Sequence, residues 1–244
     1  NGSTANEWQQ FYAENHASGA PPKITINYST STPYYYNGSI DNVEIFNSVR
    51  TPAQISWDYN RGGPVAFWKF DESSWTNNCS TDTVFDSSGQ DNHGDSCPNT
   101  TGQTTPETGK YNNAIHFDDS DDYVTIPDDS SLDLTSGLTI SAWVNTDANE
   151  ADNVIVSKGT SYEMGINADG DIYWDGVGAQ VDDGSARVLT GTWHHIVITN
   201  DDTTATYYVD GIKTAVSSAG IDADNATAFT IGYDGTNYFD GLID

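Results

Sequence analysis

The stretch that best indicates the fold is Leu138-Thr139-Ile140-Ser141-Ala142-Trp143-Val144. Apolar residues fall on alternate positions, as in a strand that buries one face, and both faces become apolar at Trp143. This pattern is typical of a central strand in a sandwich of two sheets. We therefore predict an all-β fold for the surrounding chain.

Similar runs lie on both sides of this stretch. Gly, Asn, Asp and Ser interrupt them every ~8–12 residues, which is the spacing of an all-β protein. Two of the interruptions, Ala168-Asp169-Gly170 and Asp210-Gly211, have the composition of hairpin turns. The other candidate strands are Val65–Phe70, Ala114–Phe117, Tyr123–Ile126, Val154–Ser157, Tyr162–Ile166, Asp171–Trp174, Trp193–Thr199, Ala205–Val209 and Phe229–Ile231.

Only one stretch carries helical signals. Thr51 is a good N-cap, Pro52 suits the first helical position, and Gln54 completes a capping box. We predict one short helix near residues 51–60, which ends before Gly62-Gly63.

The chain is strongly acidic. Its 244 residues include 8 Lys and Arg against 36 Asp and Glu, for a net charge of -28. Because phosphate contacts need clustered cations, this balance excludes a basic nucleic-acid interface and electrostatic docking on anionic lipid. No apolar run approaches the ~20 residues needed to cross a bilayer. We therefore predict no nucleic-acid partner and no membrane insertion.

Composition also limits the architecture. A hydrophobic fraction of 36% is sufficient for a packed core, and the length fits one large β domain or two small ones. The only methionine is Met164, so we expect the chain to be a processed form or a segment of a longer protein.

The two cysteines, Cys79 and Cys97, flank a polar stretch. A disulfide between them would close a loop of about 18 residues and contribute roughly 3 kcal/mol. The alternative is two free thiols. We favour the disulfide because neither cysteine has a second cysteine or a suitably spaced histidine for a zinc site. A structural disulfide indicates an oxidising, extracellular setting.

Several Asn-x-Ser/Thr sequons permit glycosylation. Ser and Thr are so abundant that about four sequons would arise by chance, so the sequons do not by themselves argue for modification. The candidate glycosylation sites are Asn27, Asn37, Asn78, Asn99 and Asn225.

An internal repeat joins the two ends of the sequence. Ile24-Thr25-Ile26-Asn27-Tyr28 matches Phe229-Thr230-Ile231-Gly232-Tyr233, and the segment Tyr35–Asp41 matches Tyr238–Asp244. Asp244 therefore corresponds to Asp41, which is followed by an obvious strand at Asn42–Asn47.

The span from Pro64 to Asp244 resembles a laminin-G-like domain of the concanavalin A-like lectin/glucanase superfamily, as found in tandem-repeat surface proteins of bacteria or archaea. The segments that carry the resemblance are Val65–Glu72, Asp86–Gly94, Ala114–Asp118, Asp122–Val124, Leu138–Val144, Gly191–Val197 and Tyr207–Gly211. The resemblance implies a jelly-roll sandwich of two antiparallel sheets, with the first and last strands side by side.

The repeat and the resemblance together predict two parts. Residues 1–62 are similar to the C-terminal part of a preceding repeat, with donor strands and a short linker helix, and residues 63–244 to a sandwich that lacks its last strand. An open strand position recruits another strand, so we expect residues ~24–50 to complete a neighbouring copy. The alternatives are covalent tandem repeats and closure onto the chain's own domain. The expected interface residues are Ile24, Ile26, Ile40, Val43, Ile45 and Phe46.

We predict that the protein is not an enzyme. Catalytic members of the superfamily that resemble it cleave β-glucans with two Glu on one strand, and a retaining glycosidase needs its two carboxylates about 5 Å apart. No two Glu of this sequence lie within four positions of each other, and Glu163 is alone on its strand.

A calcium site is a weaker expectation. Ca²⁺ is bound by several carboxylate, amide and carbonyl oxygens, and the alternative is simply a solvated acidic surface. Related folds often hold a structural Ca²⁺ where the first strand, the next loop and the last strand meet. That resemblance implies as ligands Asp71, Asn92, the Gly94 backbone and Asp244, with Asp41 as the equivalent of Asp244 in the other repeat.

Two aromatic and histidine clusters have both a structural and a functional interpretation. His194 and His195 are adjacent on a strand and point to opposite faces, so we assign them structural roles. The segment Asp171–Asp175 could stack a sugar ring, but core packing is favoured for Trp174.

We therefore predict a non-catalytic building block of an extracellular surface protein or filament that binds other copies of itself; the alternative is a carbohydrate-binding adhesion module.

Overall fold

The structure is a computed structural model that describes residues 45–51, 63–97, 106–149, 152–223 and 225–244. The chain divides into two compact units, Asn1–Gly62 and Gly63–Asp244. In the first unit, the described segment 45–51 has no regular secondary structure, and the predicted helix after Thr51 lies outside the described residues.

The described part of the second unit contains fifteen strands. They are β1 (Asp82–Val84), β2 (Gly94–Cys97), β3 (Pro106–Thr108), β4 (Asn113–Asp118), β5 (Tyr123–Ile126), β6 (Leu138–Thr146), β7 (Asn153–Ser157), β8 (Glu163–Ile166), β9 (Ile172–Asp175), β10 (Val181–Asp182), β11 (His194–Asn200), β12 (Thr204–Val209), β13 (Ile212–Ser218), β14 (Phe229–Ile231) and β15 (Asp240–Ile243). None of the described residues is helical.

The strands form two antiparallel sheets. The larger sheet has eight strands in the order β1-β2-β5-β14-β7-β8-β9-β10, and the smaller has seven in the order β13-β12-β11-β6-β15-β4-β3. Strands that are distant in sequence lie side by side, as β14 does between β5 and β7. The predicted two-sheet jelly-roll sandwich is confirmed, and β6 is central in its sheet.

The core lies between the two sheets. Alternate residues of each strand enter it, such as Val124 and Ile126 from β5 and Ile196 and Ile198 from β11, all of them almost fully buried. Trp174 belongs to this core and stacks on Tyr162 with ring centroids 6.2 Å apart. The prediction of core packing for Trp174 is confirmed.

The predicted strand Val65–Phe70 is wrong. Within the described part of the chain, its only ladder contact is an isolated bridge between Trp68 and Asp86. The Asp86 carboxylate accepts a hydrogen bond from the Phe67 backbone N–H at 2.8 Å, and the Trp68 indole donates to the Asn92 carbonyl at 2.8 Å. The Asp86 side chain thus accepts the hydrogen bond of the Phe67 backbone N–H, which in a strand would pair with a neighbouring strand.

β15 needs a glycine at its second position. Gly241 has φ +131, and a Cβ there would come within 2.3 Å of the Asn145 carbonyl oxygen on β6. A side chain would therefore separate β15 from β6 or force the backbone out of a conformation that only glycine adopts readily. Gly241 belongs to the repeated segment Tyr238–Asp244, and in this copy of the repeat the glycine allows β15 to pack against β6.

Two interactions tie the loops to the sandwich. Cys79 and Cys97 form the predicted disulfide, which links the loop before β1 to β2. The Lys158 side chain is fully buried. Its ammonium donates hydrogen bonds to Asp128 and, at 2.7 Å, to the Thr227 carbonyl, and it forms an ion pair with Asp133 at 3.3 Å. This buried lysine was not singled out from the sequence, because its carboxylate partners lie in another loop.

Candidate functional site

A row of polar side chains crosses the outer face of the eight-stranded sheet. In antiparallel strands, directly opposed residues project from the same face. The register places seven residues in line, one from each successive strand from β1 to β9, and we call them the polar row. They are Asp82, Asp95, Thr125, Thr230, Ser157, Glu163 and Asp175.

At the end of the row formed by Glu163 and Asp175, the carboxyl pKa values are raised. Burial raises the pKa of Glu163 to about 7, with a further increase from Asp234 and partial compensation by a hydrogen bond from Tyr173. The Tyr173 hydroxyl donates to Glu163 Oε1 at 2.9 Å. Burial and the charge of Asp234 also raise the pKa of Asp175, which faces Glu163 across β8 and β9. Near neutral pH, Glu163 can therefore act as a hydrogen-bond donor or acceptor.

Three tyrosines cluster beside the row, and we call them the tyrosine cluster. Tyr123 lies on the same face of β5 as Thr125, and its ring centroid is 5.1 Å from that of Tyr233. Tyr233 stacks on Tyr238 at 4.3 Å with an interplanar angle of 18°. All three rings are partly exposed. Burial, a hydrogen bond with Tyr233 and the nearby acids raise the pKa of Tyr238 to about 12, so its hydroxyl stays protonated.

The loop between β14 and β15 holds this cluster in place. The Thr230 hydroxyl donates to the Tyr233 carbonyl at 2.5 Å, and Tyr233 and Tyr238 form an isolated backbone bridge. Gly232 precedes them with φ +84, and a Cβ there would lie 2.6 Å from the Phe117 ring. The rings are therefore presented by a closed turn with little freedom at its base.

This face combines the two kinds of group that recognise a polyol. Partly exposed aromatic rings offer apolar surfaces with a polar tip, and carboxylates and hydroxyls accept and donate hydrogen bonds. Small-molecule sites typically pair aromatic walls with a few placed polar groups.

A second acidic group lies in the turn between β4 and β5. One carboxylate oxygen from each of Asp118, Asp121 and Asp122 lies within 4.8 Å of the others. Asp122 is only 2% exposed. Burial, reinforced by the charges of Asp118 and Asp121, raises the pKa of Asp122 to about 7.

The predicted calcium ligands are only partly brought together. Asp71 and Asp244 both bind the same loop: Asp71 accepts from the Asn113 N–H at 3.2 Å, and Asp244 from the Tyr111 N–H at 2.5 Å. The charge of Asp71 contributes to a raised pKa of Asp244, after the larger effect of burial.

The other predicted ligands have different surroundings. Asn92 is buried, and its amide donates to the Val65 carbonyl at 3.0 Å and to Ser131 at 2.9 Å. Gly94 lies in β2, where a Cβ would be 2.6 Å from Val124. Asp41 lies outside the described residues. A calcium ion held by this set stays a prediction.

Most of the predicted interface residues, Ile24, Ile26, Ile40 and Val43, lie outside the described part of the chain. The two described ones are exposed, Ile45 to 77% and Phe46 to 45%.

Among the sequons, Asn27, Asn37 and Asn99 are also undescribed. Asn78 is exposed. The Asn225 amide nitrogen donates to the Lys158 carbonyl at 3.2 Å and to the hydroxyls of Thr160 and Ser161. Glycosylation at each of these asparagines stays a prediction.

Both histidines of the pair make hydrogen bonds within the sandwich, and their structural role stays a prediction. The Leu189 N–H donates to His194 Nε2 at 3.2 Å, so Nδ1 carries the proton of the neutral ring and donates to Asp210 at 2.9 Å. His195 points to the other face of β11, and its Nε2 lies 2.9 Å from the hydroxyl of Ser141 on β6.

Comparison with known proteins places the fold. Residues 118–244, just over half of the chain, match a laminin G family model described as the concanavalin A-like lectin/glucanases superfamily. The chain belongs to this superfamily. The resemblance inferred from the sequence is therefore confirmed, and superfamily membership rests on that match. No curated protein matches the chain significantly.

Among solved structures, an arabinanase domain has the same fold at low sequence identity, and two others are similar to a lesser degree. Domain 4 of AbnA, a GH43 extracellular arabinanase from Geobacillus stearothermophilus solved with arabinotriose, is 18% identical, with a TM-score of 0.53 over 65% of this chain and 82% of that one. Domains LG4-5 of the mouse laminin alpha1 chain are 16% identical, with a TM-score of 0.42 over 53% of this chain and 39% of theirs. The binding domain of botulinum neurotoxin DC in complex with SialylT is 14% identical, with a TM-score of 0.46 over 72% of this chain and 48% of that one.

The sequence alone did not reveal the polar row or the tyrosine cluster. Glu163 stood alone on its strand, and its neighbour Asp175 became visible only through the register of β8 and β9. The spacing of Tyr233 and Tyr238 around a Gly-containing turn was a usable signal, because such a turn can bring two aromatic rings together.

Proposed function

We propose that the sandwich is a non-catalytic module that binds carbohydrate on the outer face of its eight-stranded sheet. The observation that carries this proposal is the juxtaposition of the polar row with the tyrosine cluster on one face. The rings of Tyr233 and Tyr238 offer surfaces for the C–H faces of a sugar, and Glu163 and Asp175 offer acceptors for its hydroxyls. The bound arabinotriose of the arabinanase domain with this fold supports the choice of oligosaccharides as ligands.

The test is a binding screen followed by matched substitutions. A glycan array that includes arabinan oligosaccharides would identify a ligand, and isothermal titration calorimetry would measure its affinity. We expect Tyr233→Ala and Tyr238→Ala each to weaken binding about tenfold, equivalent to ~1.4 kcal/mol. Tyr208→Ala is the control, because Tyr208 is a partly exposed tyrosine of the seven-stranded sheet.

Two outcomes would contradict the proposal. Absence of binding to every glycan on the array would exclude carbohydrate as the ligand. Equal losses of affinity in the Tyr208 control and in the cluster variants would exclude this face as the site. Release of reducing sugar from a bound glycan would instead show that the paired carboxylates Glu163 and Asp175 are catalytic, against the proposed non-catalytic role.

We also propose an extracellular location. The Cys79–Cys97 disulfide supports it, because structural disulfides persist in oxidising compartments. Within the described residues, no helix has both the length and the apolar character needed to span a bilayer. Secretion of the full-length protein with an oxidised Cys79–Cys97 pair, measured by mass spectrometry, would test the location.

A second candidate function is assembly by strand complementation, which one feature of β6 supports. Within the described residues, the backbone of Leu138–Ala142 pairs with β11 on one edge and with no strand on the other. Beyond it, Trp143 exchanges two backbone hydrogen bonds of 3.0 Å with Asp244. The core-facing side chains Ile140 and Ala142 are only partly buried.

The occupant that we propose for this edge is the segment Ile40–Phe46 of another copy, in a head-to-tail array. Its last five residues follow the copy of the motif that matches Tyr238–Asp244, and Val43 and Ile45 alternate as in a half-buried strand. We expect Val43→Asp to shorten the assemblies seen by negative-stain microscopy and sedimentation. Unchanged assembly length in this variant, or monomers in the unmodified protein, would exclude strand complementation.

A further inference from the structure

We propose that Asp118, Asp121 and Asp122 form a calcium site in the turn between β4 and β5, distinct from the ligands predicted around Asp71 and Asp244. The proposal does not depend on carbohydrate binding. It rests on the spacing of the three carboxylates and on the unmet hydrogen-bonding capacity of a buried one.

The spacing suits one ion of calcium size. The three carboxylate oxygens lie within 4.8 Å of one another. Two oxygens bound to the same Ca²⁺ at about 2.3–2.6 Å lie at most ~4.6–5.2 Å apart. A single Ca²⁺ can therefore lie between the three carboxylates with at most a small rotation of their side chains.

One oxygen of the buried carboxylate lacks a hydrogen-bond partner among the described residues. Asp122 is 2% exposed, and no donor among the described residues bonds its Oδ1 or the buried Oδ1 of Asp121. Among the described ion pairs, none involves Asp118, Asp121 or Asp122. Removing a carboxylate from water without a partner is costly, and a bound cation relieves that cost.

Other aspartates of the same molecule show what an ordinary turn provides. Asp201 Oδ1 accepts hydrogen bonds from the backbone N–H groups of Thr203 and Thr204, at 3.1 and 2.8 Å. Asp234 Oδ1 accepts from the N–H groups of Thr236 and Asn237, at 2.6 and 2.7 Å. These carboxylates are satisfied by their own turns, whereas Asp122 Oδ1 and Asp121 Oδ1 are not.

The surroundings add negative charge and fix the ligands. Asp118 ends β4, where it pairs with Asp240 of β15, and Asp122 immediately precedes β5. His116 is the adjacent cationic candidate, but its Nε2 lies 3.2 Å from Asp147. Asp118 and Asp122 thus come from the ends of β4 and β5, which belong to different sheets and are each paired with neighbouring strands, so their positions are defined.

Terbium luminescence and thermal unfolding test the site. Tyr123 follows Asp122 and can sensitise Tb³⁺ bound there, and Ca²⁺ should displace the signal with a stoichiometry of about one. At a Ca²⁺ concentration ~100 times its Kd, we expect the Tm to rise by roughly 5–10 °C. Titrations at constant ionic strength in KCl separate binding from screening of the acidic surface.

Substitutions assign the effect. We expect Asp122→Asn and Asp121→Asn to abolish both the Tb³⁺ signal and the Ca²⁺-dependent rise in Tm. Asp169→Asn, in an exposed hairpin turn, is the control and should keep both. Responses that persist in both site variants, or an equal rise with Mg²⁺, would overturn the proposal. Loss of the responses in Asp71→Asn alone would assign calcium to the other set of ligands.

Discussion

Replacing Lys158 with methionine should destabilise the sandwich by about 3 kcal/mol, toward the lower limit for breaking a buried ion pair. The lysine side chain is fully buried, while those of Asp128 and Asp133 are 38% and 21% exposed. Water can therefore solvate both carboxylates in part once the ammonium is gone, which limits the loss. Methionine keeps most of the buried aliphatic volume, so the change reports on charge and hydrogen bonds rather than on a cavity.

Urea unfolding at neutral pH, followed by tryptophan fluorescence, measures this loss. A 3 kcal/mol change corresponds to a decrease in Tm of roughly 6–12 °C for a domain of this size. Lys213→Met on the exposed edge strand β13 is the matched control and should stay within about 0.5 kcal/mol of the unmodified protein. A loss below about 1 kcal/mol for Lys158→Met would refute the reasoning, since it would mean that desolvation of the ammonium cancels its three contacts.

Three further changes test other parts of the structure. Gly241→Ala should lower the free energy of unfolding in urea by more than ~3 kcal/mol, because Gly241 has φ +131 and an added Cβ would clash with the Asn145 carbonyl oxygen. Gly235→Ala is the control, because a Cβ there meets no atom within 4 Å. Equal losses of stability in the two variants would contradict the clash. Burial raises the pKa of Glu163 to about 7 from its ordinary 4.5, so the folded state binds more protons between these values, and stability should fall by up to about 3 kcal/mol as pH rises through this window. Glu163→Gln should remove the share of Glu163 from the pH dependence in unfolding curves from about pH 4 to 8 and leave the share of Asp122, whose pKa is also raised to about 7; an unchanged slope would contradict the assignment. Cys79→Ser should lower stability by roughly 3 kcal/mol, and dithiothreitol should lower the Tm of the unmodified protein alone; no effect of the reductant would argue against a structural role for the bond.

The fold was predictable because its signals are local. Several core strands carry their own alternation, as Leu138–Val144 does, and hairpin glycines mark where strands end. The same reasoning failed at Val65–Phe70, where the apolar pattern is that of a strand but the Asp86 side chain takes the hydrogen bond of Phe67. It also missed β13, whose edge position leaves most of its residues exposed and without a clear alternation.

The candidate site was not predictable for the opposite reason. No local pattern shows that Glu163 faces Asp175, or that Thr230 lies between Thr125 and Ser157, because these neighbours follow from strand order and register. Register depends on packing across the whole sandwich.

The polar row draws on residues from Asp82 to Thr230. Some of its neighbouring members are far apart in sequence, as Thr125 and Thr230 are. Such a surface exists only once nearly every strand of the larger sheet has docked, and contacts between distant segments form slowly. A nascent or partly folded chain therefore has no competent face with which to capture a ligand. Ligand recognition in this domain would accordingly double as a reporter of completed folding.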